Sequence, residues 1–362
     1  MSIYHIMNKD EILMDLEVSR NEYDEVSVNP VCVYTDLSSI GFRNAVSFIE
    51  GRRAPKHRAH ISELLARYDC DDIEGFIRVT HALSLNDTIW IKEEGSALCW
   101  KDVSLYDNDF DEVISNTAFD GEVLSVSFSP TSPEFGTDGS FAKCWIRENE
   151  EIKLVKRGSS IFEIEPVSEF LCCQLAQYIV PEHVNYELDF YHGKLVSKCR
   201  LFTDENHGFL CARKVFGHRP EVKELLDFYS ALGYEDYFRR MCVFDALTAN
   251  TDRHWGNFGF IIDNHCFEIL NPAPVFDNNM ALFPQLDDDE VQNIDAYLRR
   301  YRPKIGGDFI KTAKALITDE IRNDLRNLRG FSFNQHERIK ISEERLNALS
   351  SFMNQQIDRI LN

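Results

Sequence analysis

No run of about 18 apolar residues occurs in this chain of 362 residues, so no membrane-spanning helix is expected. The N-terminus lacks a basic segment followed by an apolar stretch, so no secretory leader is expected either. Ten cysteines are present, but none form a C-x-x-C pair, which leaves a zinc ribbon without support. Most of them sit in apolar runs, where a free thiol behaves as a small hydrophobe, and the chain reads as cytoplasmic with reduced thiols. Positive charge is scarce: 39 Lys and Arg stand against 60 Asp and Glu, a formal charge of -21. So acidic a surface repels phosphate backbones and anionic lipids, which argues against direct nucleic-acid binding and against a membrane-bound role. The one dense basic stretch is Arg52, Arg53, Lys56 and Arg58, with His57 and His60 interleaved, and it reads as a solvated loop before a helix. Disorder is not indicated, because 12% aromatic residues is too rich for a disordered chain.

There is ample apolar material for two or three packed units. The chain divides into an N-terminal α+β region (1–118), a strand-rich region (119–199) and a mainly helical region (200–362). In the first, Ile61–Tyr68 and Ile73–Leu83 have helical spacing, while Thr88–Lys92 and Ala97–Trp100 read as two strands joined by a turn at Gly95. No chemistry is visible there. In the second, Val123–Phe128 alternates as a strand does. A turn-rich stretch with Gly136 and Gly139 leads to strands Lys143–Arg147 and Ile152–Lys156, and a helix starts at Pro166. Tyr186–Tyr191 and Leu195–Ser197 return to strand character. In the third, helices follow Pro220, run from about Asp236 to Ala249, and close the chain from about Ser342 to Leu361. Strands with one helix, followed by a helical body, is the order of a kinase: an α+β, two-lobed core with an extra N-terminal region.

The chemistry concentrates in residues 241–280. An apolar helix ends at Asn250, a polar loop Thr251–Asn257 follows, and an apolar hairpin turning at Asp263-Asn264 returns the chain to a lone acid, Asp277. Phosphoryl transfer requires such a set: a carboxylate to meet the attacking hydroxyl, and an amide oxygen with a second carboxylate to hold magnesium. Magnesium prefers hard oxygen ligands and keeps several waters, so one Asn and one Asp suffice. Asp252 and Asn257 have the D-x-x-x-x-N spacing of a kinase catalytic loop.

Asn250-Thr251-Asp252-Arg253-His254 with Asn257, then Phe276-Asp277, resembles the HipA-like serine/threonine kinase family. The D-R-H-x-x-N form is also similar to the catalytic loop of phosphatidylinositol kinases. The resemblance covers roughly residues 120–360 and implies that Asp252 is the catalytic base, that Asn257 and Asp277 hold Mg2+, and that His254 supports the loop or the phosphate. It further implies a strand lysine on the ATP phosphates, with Lys156 the better match and Lys153 the rival. The two lie three apart and so face opposite sides of a strand. A helix carboxylate should orient that lysine, Glu169 or its alternate Glu165. Gly136 and Gly139, with Ser140, would lie over the phosphates. Their G-x-x-G spacing is neither a protein-kinase glycine loop nor a Walker A loop. Thr137 and Ser140 are the candidates for the self-phosphorylation the family implies. Val196–Arg200 should lie near the linker that holds adenine, and Asp287–Glu290 falls where kinases place substrate loops. The implied acceptor is a protein, with translation-related proteins such as aminoacyl-tRNA synthetases as the family's targets, and an antitoxin-like partner is implied too. Residues 1–118 match no part of the small domain of the standard HipA toxin. A small-molecule or lipid-like kinase and a non-catalytic pseudokinase remain as alternatives.

Overall fold

The computed structural model describes residues 2–23, 25–55, 70, 72–121, 132–137, 139, 141–159 and 163–362. The expected helix Ile61–Tyr68 and strand Val123–Phe128 lie outside them, as do Lys56, His57, Arg58, His60 and Ser140. The chain forms two compact units: Met1–Lys156 with Leu201–Leu210 and Ile261–Leu270, and Arg157–Arg200 with Cys211–Phe260 and Asn271–Asn362.

The first unit begins with three strands that the sequence reading left unassigned, β1 (Ser2–Asn8), β2 (Glu11–Arg20) and β3 (Val26–Val33). With β4 (Ile89–Glu93) they make an antiparallel sheet in the order β3-β2-β1-β4. Met14, Leu16 and Val18 alternate into the core, as a half-buried strand requires. Lys9, at φ 50, turns the first hairpin. Helices α1 (Ala45–Glu50) and α2 (Ile73–Thr80) follow, each N-capped by a side chain, Asn44 and Asp72. Ala97–Trp100 is not the strand expected. The Asp102 carboxylate reaches back to the Cys99 N–H at 2.8 Å and starts a short helix, α3 (Trp100–Val103). Helix α4 (Glu112–Asp120) ends at Gly121. The basic stretch also needs correction. Arg52 is not solvated but buried, and its guanidinium grips Asp87 with two bonds of 2.8 Å. Strands β5 (Lys143–Glu148) and β6 (Glu151–Arg157) then pair antiparallel as expected, around a turn in which Asn149 and Glu150 both have positive φ.

In the second unit, helix α5 (Glu165–Ile179) has Pro166 in its first turn and buries Val167, Leu171, Leu175 and Ile179. Strands β7 (Tyr186–Tyr191) and β8 (Lys194–Arg200) form a hairpin through His192 and Gly193, both left-handed. Val196–Arg200, expected near the linker, lies within β8. Drawn largely from the first unit's segments Leu201–Leu210 and Ile261–Leu270, three short strands, β9 (His207–Cys211), β10 (Gly259–Asp263) and β11 (Ile269–Pro272), form a sheet in the order β11-β10-β9. The helical body comprises α6 (Ala212–Phe216), α7 (Val222–Ala231), α8 (Glu235–Thr248), α9 (Ile294–Tyr297), α10 (Phe309–Leu316), α11 (Asp319–Asn327) and α12 (Glu343–Leu361). Helix α8 is its centre. It is buried on all sides from Arg240 to Thr248, and α7, α10, α12 and α5 pack on it. Its C-terminal end therefore emerges from a rigid core, and that end carries the polar loop. No helix among the described residues is long and apolar enough to cross a membrane.

Candidate active site

Helix α8 stops because Ala249 turns left-handed, at φ 50, and both Ala249 and Asn250 give their N–H groups to the Asp245 carbonyl. Asn250 is fully buried, and its side-chain oxygen accepts from the Asp252 N–H at 2.9 Å. The Asp252 carbonyl in turn accepts from the His254 N–H at 2.6 Å and from Asn257 Nδ2 at 3.0 Å. Asp252, His254 and Asn257 thus sit in one hydrogen-bonded loop. Because Asn257 donates through Nδ2, its Oδ1 is the atom left for a cation. His254 Nδ1 accepts from the Gly256 N–H at 2.9 Å, which puts the proton of the neutral ring on Nε2. A Cβ at Gly256 would lie 2.8 Å from His254 Cε1, so only glycine fits beneath the ring.

Arg253 gathers the parts. It is 1% exposed. Its guanidinium pairs with Asp245 of α8 at 3.1 Å, binds Asn278 Oδ1 at 2.5 Å and the Asn257 carbonyl at 3.1 Å, and also donates to the Phe276 carbonyl. Both expected metal ligands therefore have their backbones fastened to one planar cation, Asn257 directly and Asp277 through its neighbours. Burial pushes the Asp245 carboxyl up, and the Arg253 charge opposes that shift. Asp277 has φ 56, a left-handed conformation that costs a residue with a side chain and is held here by its surroundings. Its N–H donates to the buried Tyr186 hydroxyl at 3.1 Å, and Val275 is bonded to both Glu182 and Val184. The buried Asn279 Oδ1, two residues on, has no hydrogen-bond partner among the described residues.

On the other side of the loop, the Asp252 carboxylate forms an ion pair with Lys304. A cleft of about 430 Å³ lined by Thr251, Gln285, Glu290, Tyr297, Arg300 and Tyr301 opens beside Thr251, the residue preceding Asp252. Glu169 on α5 is fully buried and accepts from the Ser197 hydroxyl. Its alternate Glu165 accepts the Ser159 N–H at 3.1 Å.

The remaining expected residues belong to the first unit. Lys156 is 5% exposed, and Lys143, which the sequence reading did not single out, stands directly opposite it in the β5–β6 register and is equally buried. Opposed residues of an antiparallel pair share a face, so two ammonium groups point to one side. Lys153 instead pairs with Glu148 at 2.7 Å. The two glycines differ. Gly136 ends a short 3-10 turn packed on the Leu83 carbonyl, which a Cβ would approach to 2.6 Å. Gly139 has φ 98, and the Lys143 ammonium occupies the space a Cβ would need. The Thr137 hydroxyl donates to the Pro133 carbonyl at 2.7 Å and accepts from the Trp145 indole N–H at 2.8 Å.

No protein-family model matches the chain. Over 142 residues it is 28% identical to the serine/threonine-protein kinase CtkA of Helicobacter pylori. The match takes 35% of this chain and 43% of CtkA, so it spans under half of that curated relative. HipA of Shewanella oneidensis, solved with HipB and its operator DNA, superposes with a TM-score of 0.52 at 13% identity, over 99% of this chain and 96% of that one. The fold is that of HipA. The crystal structure of CtkA aligns with 60% of this chain and 92% of its own length, at a TM-score of 0.46 and 20% identity. The kinase-like fold expected from the order of strands and helices is thereby shown, and homology to CtkA supports the resemblance to HipA-like kinases.

Sequence reasoning missed Arg253, Lys143 and Lys304 as site residues. For Arg253 a signal existed: Asp245 is the one charged residue in the run from Met241 to Thr248, and a buried acid calls for a partner. Lys304 lies too far along the chain from Asp252 for any local signal.

Proposed function

We infer that the chain is an ATP- and Mg2+-dependent kinase that phosphorylates serine or threonine on a protein. One observation supports the reading most: Arg253 donates to the carbonyls of Asn257 and Phe276 and so ties the Asp252–Asn257 loop to the segment that carries Asp277, the residues the reading takes as base and oxygen ligands. Asn257 Oδ1 and the Asp277 carboxylate are hard oxygen donors and fit magnesium, which would bridge and partly neutralise the nucleotide phosphates when bound. Among the described residues no cluster of three or more His, Cys, Asp and Glu side chains offers a different metal site. Asp252 takes the proton of the acceptor hydroxyl. His254, held as the Nε2–H tautomer, presents a neutral donor beside it. Lys156 and Lys143 are assigned to the phosphates, since two buried ammonium groups on one face suit a polyanion. The acceptor enters through the cleft beside Thr251.

Self-phosphorylation in residues 136–140 belongs to this reading. At Thr137 it would require the hydroxyl to give up its bonds to Pro133 and Trp145. An antitoxin-like partner is kept because the HipA of similar fold is seen with HipB. Ten free thiols suit a reducing, cytoplasmic setting. The test is incubation with γ-labelled ATP, magnesium and a cell lysate, followed by mass spectrometry of the protein and of the lysate. The reading expects phosphoserine or phosphothreonine on protein. Label that stays in ATP, or appears only as inorganic phosphate, contradicts it.

A further inference from the structure

Asp252 meets a lysine that comes from 52 residues further along the chain. The segment that delivers it is fixed on both sides. Before it, Tyr301 is buried, packs edge-on against Phe283 at 4.7 Å and donates its hydroxyl to Gln285. After it, Ile305 is buried, and Gly306 and Gly307, both left-handed, turn the chain into Asp308, which caps α10. Helix α10 packs on α8, whose end carries the Asp252 loop. Between these anchors Pro303 stiffens the backbone, and the Lys304 side chain, 45% exposed, reaches the carboxylate.

An ion pair this exposed contributes little to stability, so stability does not account for a lysine held against this carboxylate. Its position relative to the chemistry does. The ammonium takes Asp252 Oδ1, and Oδ2 has no protein partner among the described residues. Oδ2 is therefore the oxygen left to face an incoming hydroxyl.

We propose that Lys304 is a further catalytic residue, which holds Oδ2 of Asp252 toward the acceptor and lays its charge against the transferring phosphoryl group. The inference rests on the kinase reading above. In the step, the acceptor oxygen forms a bond to the γ-phosphorus of the nucleoside triphosphate, and its proton passes to Asp252 Oδ2. The bond from that phosphorus to the bridging oxygen breaks, and its electron pair leaves with the diphosphate. Charge spreads over the three equatorial oxygens as this happens, and a fixed ammonium beside the base stabilises them.

The experiment compares Lys304→Met and Lys304→Arg with the unaltered chain, using ATP, magnesium and the acceptor protein found in the lysate experiment. The readouts are kcat, KM for acceptor, ATP affinity by calorimetry, and melting temperature. Lys304→Met should lose about 100-fold or more in kcat, the scale of one transition-state donor. ATP affinity and melting temperature should hold, and Lys304→Arg should recover a good part of the rate. Lys304→Met at full rate overturns the proposal and leaves an ordinary surface ion pair. Faster transfer overturns it in the other direction, making Lys304 a plug over the base. If the unaltered chain transfers nothing, the kinase reading itself fails, and Lys304 falls with it.

Discussion

Each of the two units contains a buried arginine built on the same plan, and the two do different work. Arg52, 3% exposed, binds Asp87 and donates to the carbonyls of Ala82 and Ile89 at 2.6 and 2.7 Å. Arg253, 1% exposed, binds Asp245 and donates to the carbonyls of Asn257 and Phe276. In both cases a guanidinium, whose planar donors suit this geometry, replaces the hydrogen bonds that irregular backbone would otherwise lose on burial. The difference lies in what the fastened backbone carries. Around Arg52 it is a turn entering β4. Around Arg253 it is the pair of residues expected to hold metal. One physical device thus serves folding in the first unit and site geometry in the second.

The largest effect should follow from Arg253→Met. It strands the Asp245 carboxylate in the core, at a cost of about 3–5 kcal/mol by chemical denaturation, and abolishes transfer. Adding Asp245→Leu removes the stranded charge and should restore most of the stability but none of the transfer. Recovery of activity in the double variant would show that Arg253 acts only through folding. Arg52→Met should destabilise by a similar amount. Its folded molecules, however, should transfer phosphate at the normal rate once the folded fraction is taken into account. A specific defect in transfer would erase the contrast between the two arginines.

The local frame of the candidate site is legible in the sequence, because its parts are neighbours along the chain. Asp252 and Asn257 lie on one loop, the helix before them and the hairpin after them have strong patterns, and Ser342 caps α12 where the apolar periodicity begins. What was missed depends on distant or irregular geometry. Strands β1 to β3 escaped because bulges between Ile6 and Met7, and between Asp15 and Leu16, break the two-residue alternation. The turn at Lys9 also lacks the Asn-Gly signature of a hairpin. Trp100 looked like a strand residue because its apolar neighbours hid the capping contact from Asp102. Arg52 looked solvated because its partner Asp87 is 35 residues away.

Smaller effects sharpen the comparison within each unit. Asp277→Ala should weaken magnesium–ATP binding by roughly 10- to 100-fold, the scale of losing support at a metal site, and metal-free nucleotide much less. Calorimetry with and without magnesium reads this, and equal losses would remove Asp277 from the metal. On β6, Lys156→Ala should raise the ATP dissociation constant. Lys153→Ala should cost no more than the ~1 kcal/mol of a half-exposed ion pair with Glu148. A larger binding loss from Lys153→Ala would exchange their roles.

The central claim is that Asp252 is the base of a phosphoryl transfer, and Asp252→Asn tests it most directly. The substitution keeps the shape and removes the capacity to accept a proton well. Transfer of labelled phosphate from ATP to protein should fall at least ~100-fold while calorimetric ATP binding is kept. Transfer at the unaltered rate would contradict the account.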